Sequence, residues 1–127
     1  MNVEKVVFSF FIVLALTLNF GFFLGEFDNP DHHDVYELFA AIVVNLIATV
    51  LKFGERTQIG AVLLATSLVA DLQLIAAALV WTVAVHIAAT GLTPPAMASI
   101  VSLSGGAVLA NLVSVVLLVV DISTLRR

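Results

Sequence analysis

Cysteine is absent from this chain, which removes disulfides, thiolate nucleophiles and thiolate metal sites and leaves the redox compartment open. Charge is scarce as well. Only 11% of the 127 residues are charged, five of them Lys or Arg and nine Asp or Glu. A soluble domain carries roughly 25%, so the polar side chains needed to cover a water-soluble globule are missing. Five basic residues are too few for a nucleic-acid partner. The sequence also has no paired nucleophile and base, no glycine-rich phosphate loop, and no HExxH or EF-hand pattern. An enzyme is therefore not expected and no cofactor is implied. The short alternating segments of a membrane β-barrel are lacking too.

What the chain has instead is unbroken apolar sequence, with 61% hydrophobic residues and a mean hydropathy of +1.16. A hydrocarbon core of about 30 Å takes roughly 20 helical residues to cross, so the apolar length permits four crossings. The expectation is a single all-α domain over residues 1–127, a polytopic transmembrane bundle with helices at about 6–25, 35–53, 59–90 and 94–122. The first run is longer than a signal-peptide core and ends in Phe22-Phe23-Leu24-Gly25, which is no small-x-small cleavage site, so it reads as a retained helix. Asn29-Pro30 and the pair Asp34 and Glu37, at capping-box spacing, signal the second helix; Thr93-Pro94 opens the fourth. The third stretch, Ile59 to Thr90, exceeds one perpendicular crossing and is read as a single helix, tilted or broken near Asp71. With four crossings Lys5, Lys52, Arg56, Arg126 and Arg127 share one side, while the loops on the other carry no basic residue. By the positive-inside rule both termini are cytoplasmic.

Asp71 is the most informative residue, because an ionised carboxylate at membrane depth costs several kcal/mol unless paired, hydrated or protonated. Counted inward from the cytoplasmic helix ends, Asn19, Asp71 and Asn111 lie near 20 Å and Asn45 near 12 Å. Glu37, Ala41, Asn45, Thr49 and Lys52 form one helical stripe, and Ser67, Asp71, Ala78, Thr82 and His86 another. Two readings follow for Asp71, Asn19, Asn45 and Asn111: an ion or proton site, or an interhelical hydrogen-bond cluster that fixes the bundle. Asp28, Asp31, His32, His33, Asp34 and Glu37, with His86 on the same side, are read as an acidic outer vestibule that concentrates cations. Divalent metal binding there is the weaker alternative, since capping and the helix dipole already account for helix-start carboxylates. Ala98, Ser102, Gly106, Ala110 and Ser114 put a small residue at every fourth position, either for tight internal packing or for a seam between copies.

The run Asn29-Pro30-Asp31-His32-His33-Asp34-Val35-Tyr36-Glu37-Leu38-Phe39-Ala40-Ala41, continued by Asn45-Leu46-Ile47-Ala48-Thr49-Val50-Leu51-Lys52-Phe53-Gly54 and Leu68-Val69-Ala70-Asp71-Leu72-Gln73-Leu74, resembles a family of small bacterial inner-membrane proteins known only as a domain of unknown function. That resemblance implies a bacterial cytoplasmic membrane and no particular activity. The leading expectation is a homo-oligomer, in contact with membrane lipid, that conducts or binds a cation or proton at Asp71. The alternative is an accessory subunit that docks on a larger membrane-protein partner.

Overall fold

The computed structural model describes residues 3–26, 28–54, 56–88 and 91–125, with side chains as far as residue 123. Arg126 and Arg127, and the expected end of the third helix at Thr90, lie outside the described residues. The described residues form four α-helices: α1 (Val3–Phe23), α2 (Val35–Lys52), α3 (Gln58–Thr82) and α4 (Pro94–Leu125). All four are long and apolar enough to cross a membrane, and no strand occurs among the described residues.

Side-chain caps set the helix starts. Asp34 accepts a hydrogen bond from the Tyr36 N–H at α2, Thr57 from Gly60 at α3, and Thr93 from Ala96 at α4. Each satisfies a backbone donor that the first helical turn leaves open. Asn29-Pro30 opens a separate 3-10 turn, Pro30–His32, and not α2. The extended backbone of His33 and Asp34 parts the two elements. Just beyond α1, Gly25 has φ +106°, a left-handed conformation that disfavours a side chain, and the His32 side chain occupies the space where a Cβ would stand.

No break occurs near Asp71. α3 runs unbroken through it, and the irregularity comes later, as a single π turn at Val83–Ile87. The helix is continuous at Asp71, whose carboxylate is engaged by side chains of α2, as described below. The π turn ends where the Gly91 N–H folds back onto the Ala84 carbonyl, 3.0 Å away.

Between 28% and 33% of each span is buried inside the bundle, so most of every helix looks outward. The outward residues are apolar, Val50, Leu72 and Leu109 among them. Hydrocarbon is the solvent that accepts such faces, and the chain is a multi-pass membrane protein. The 32 residues of α4 make a helix of about 48 Å, longer than a bilayer core, so it tilts or projects beyond it.

Each helix packs antiparallel to its chain neighbour, and α4 closes against α1, leaving α2 and α4 on opposite corners. Side-chain contacts fix the register: Lys5 with Asp121 and Asn19 with Ser104 for α1 and α4, Phe8 with Lys52 for α1 and α2, and Thr66 with Ser114 for α3 and α4. The core then separates into two apolar clusters. One, around Phe22, Leu38, Leu74, Met97, Ile100 and Val101, fills the end carrying the acidic loop. The other, Phe8, Ile12, Ala48, Leu63 and Leu118, fills the end carrying Lys5 and Lys52.

Candidate functional site

Between those clusters the inward positions turn polar. α2 offers Asn45 and Thr49, α3 offers Ser67 and Asp71, and α4 offers Asn111 and Ser114, all of them buried. The spacing follows from helix geometry. Asn45 lies four residues from Ala41 and three from Ala48, and Ser67 four from Leu63 and three from Ala70, so each continues the stripe that faces the core.

Asp71 is only 5% exposed and points at α2. Asn45 donates from Nδ2 to Asp71 Oδ1, and also to the Ser67 carbonyl at 3.1 Å. Thr49 Oγ1 lies 2.6 Å from Asp71 Oδ2 and 2.9 Å from the Asn45 carbonyl, so its single hydrogen is shared between two acceptors. These contacts draw Asn45 and Asp71 together, although the depth count sets them apart. Asn19 is placed elsewhere: its Oδ1 accepts from Ser104 Oγ at 2.7 Å, and Ser104 lies about two helical turns from Asn111 toward the acidic end. Asn111 is fully buried and its side-chain amide makes no hydrogen bond. The Thr66–Ser114 contact and the approach of Gln73 to Gly106 put it level with the turn from Ser67 to Asp71.

Sequence reasoning missed Ser104 altogether and gave Thr49 no role of its own. The signal for Thr49 was its place one turn after Asn45 on the same stripe. Ser104 shows none, because it becomes informative only when α1 and α4 are in register.

The acidic end is more structural than expected. Asp28, Asp31, His32, Asp34 and His86 are exposed, whereas His33 is buried with Nδ1 against the Phe22 carbonyl and Nε2 2.7 Å from the Glu26 carbonyl. A neutral ring donates to one of these oxygens and an imidazolium to both. His33 thereby ties the end of α1 to the start of α2. His32 Nδ1 accepts from the Glu26 N–H at 2.9 Å, and the Glu37 carboxylate lies against Gly21. Among the described residues no three His, Cys, Asp or Glu side chains gather closely enough to hold a metal ion.

At the opposite end Lys52 is buried with its ammonium 4.3 Å from the centre of the Phe8 ring, whereas Arg56 is exposed. Lys5 bonds Asp121 at 2.9 Å. A cleft of about 160 Å³ lined by Lys5, Lys52, Thr57, Gly60 and Asp121 reaches inward as far as Leu63, one turn short of Ser67.

The small-residue ladder of α4 is largely an internal seam. Gly106 and Ser114 face α3, Ala98 and Ala110 are half-buried, and Ser102 is exposed. A Cβ at Gly106 would stand 3.0 Å from the Gln73 side chain. The Gln73 amide can swing away from a methyl group, but an isobutyl group would wedge α3 from α4. Gly106→Leu is expected to cost about 1–3 kcal/mol, read as a lower unfolding midpoint in detergent. An unchanged midpoint would mean that the seam is loose.

A model for the family described as "Family of unknown function (DUF6394)" matches residues 32–122, which include the whole polar layer. No curated protein and no solved structure matches the chain.

Proposed function

We propose that this chain, which belongs to the DUF6394 family of unknown function, takes up a cation or proton at an intramembrane site centred on Asp71 and passes it across the bilayer. One observation carries the reading: a polar layer holding a carboxylate cuts the apolar core in two. Helices in lipid associate adequately through small residues and packing alone, whereas an ionisable group at this depth is expensive and usually marks an ion or proton path.

Asymmetry of the two apolar clusters supports entry from the end carrying the lysines. There the cleft stops at Leu63, and one layer of side chains separates it from Ser67 and Thr49. Phe22, Leu38, Met97, Ile100 and Val101 make a thicker plug on the other side. In this reading the lysine-bearing end is cytoplasmic and the membrane is the bacterial inner membrane. The exposed Asp28, Asp31 and Asp34 then attract cations to the outer face. All residues of the layer come from one chain, so transport needs no shared axis, and any homo-oligomer is an association of complete units.

The test is ion flux into liposomes containing purified protein, with Asp71→Asn beside wild type. Asparagine preserves the shape of the side chain and removes its charge. Flux in wild type, and flux no greater than in protein-free vesicles for the variant, is expected. Equal flux in the two proteins, or none in either, overturns the reading.

A further inference from the structure

Among the described residues five buried side-chain atoms lack any hydrogen-bond partner: Asn19 Nδ2, Asn45 Oδ1, Ser67 Oγ, and both Nδ2 and Oδ1 of Asn111. Their four residues are fully buried and come from all four helices. Exchanging O and N in the Asn111 amide changes nothing, because both of its atoms are unpartnered. Leaving such atoms bare in a membrane core is costly, and a native structure normally meets them with a small polar ligand.

Their chemistry identifies that ligand. A metal cation accepts oxygen lone pairs and repels N–H groups, so a site built for it presents oxygens only. Here donors and acceptors are mixed: the amide N–H groups of Asn19 and Asn111 stand with the oxygens of Asn45, Ser67 and Asn111. Water both donates and accepts, and satisfies all of them. Between the level of Asn45, Ser67 and Asn111 and the level of Asn19 and Ser104, the inward residues of α1, α2 and α4 are Ala15, Ala41 and Ala107, and that of α3 is Leu74, all fully buried. Leu74 is the one large, fully buried side chain between the two levels on these stripes, and the other three helices present only alanine there.

We infer that the transported species is a proton, carried by a short file of water held between Asn45, Ser67 and Asn111 at one level and Asn19 at the next, with Asp71 beside its lower end. This rests on the reading of Asp71 given above and names its substrate. In each transfer a hydronium gives one proton to an Asp71 oxygen and becomes water. A water on the other side then takes that proton and becomes hydronium, leaving Asp71 as it began.

Wild-type protein in liposomes is loaded with a pH-sensitive dye, and a potassium gradient with valinomycin sets the membrane potential. Proton uptake is expected, with no matching uptake of radioactive sodium. Asn111→Leu, which fills the space and removes the amide, is expected to reduce proton flux to that of protein-free vesicles. Asn111→Ser keeps a polar group, leaves more room for water, and is expected to conduct. Sodium flux lost in Asp71→Asn would overturn the proton inference and leave the Asp71 reading standing. Undiminished proton flux in Asn111→Leu would overturn the water file. The absence of every flux in wild type would remove the Asp71 reading itself.

Discussion

Asn45→Leu is expected to destabilise the folded bundle by about 3 kcal/mol, and Asp71→Leu added to it to restore much of that loss. Two effects contribute to the single substitution. Asn45 gives one hydrogen to Asp71 and one to the Ser67 carbonyl, and interhelical bonds of this kind in a bilayer are worth only about 0.6–1.7 kcal/mol each. The larger effect falls on the carboxylate, which keeps Thr49 alone as a donor. An Asp at the centre of a membrane helix costs about 2.5–3.5 kcal/mol when nothing offsets it. Removing the carboxylate as well removes that penalty, so the two substitutions should be strongly non-additive, with a coupling of at least about 1 kcal/mol. Reversible unfolding in mixed micelles of dodecyl maltoside and SDS measures all four proteins of the cycle. Strict additivity would mean that Asp71 draws its stabilisation from elsewhere, and the polar layer would then be no unit.

The fold was legible in the sequence because a bilayer demands long apolar runs and forces them into helices. The starts of α2 at Val35 and of α4 at Pro94 were legible too, since Asp34 and Thr93 are capping residues read one at a time. The depth of the polar residues was not. The count starts at the helix end near Phe53, which sets the neighbouring Lys52 side chain at the membrane surface, as for a basic residue at a helix end. The side chain is instead buried over Phe8, and Lys52 lines one cleft with Gly60 and Leu63, so α3 begins below the end of α2. Asn45 therefore lies deeper than counted and meets Asp71. The π turn at Val83–Ile87 gave no sequence signal, because no Pro or Gly falls within it. His33 was read as a vestibule group from its acidic neighbours; that its ring turns back to two carbonyls depends on how α1 ends, which no spacing encodes.

Asn111→Leu should move stability and transport in opposite directions. Asn111 is wholly buried and both of its amide atoms are unpartnered by protein, so leucine, of similar shape but greater volume, replaces a desolvated amide with dispersion contacts against the flanking apolar clusters. Burying an amide without a protein partner costs about 1–3 kcal/mol in mutational data, and water in the layer recovers part of that. A net gain of about 1 kcal/mol is therefore expected, visible as a rise of several degrees in the thermal midpoint followed by circular dichroism. The sign separates the two meanings of a polar layer. If Asn111 were retained to hold helices together, its loss would weaken the bundle, as the loss of Asn45 should. If it is retained for conduction, the bundle becomes firmer as proton flux disappears, the trade between stability and activity expected where a core is kept polar for function. A lower midpoint for Asn111→Leu would assign Asn111 to the scaffold and leave Asp71 without a water path through α4.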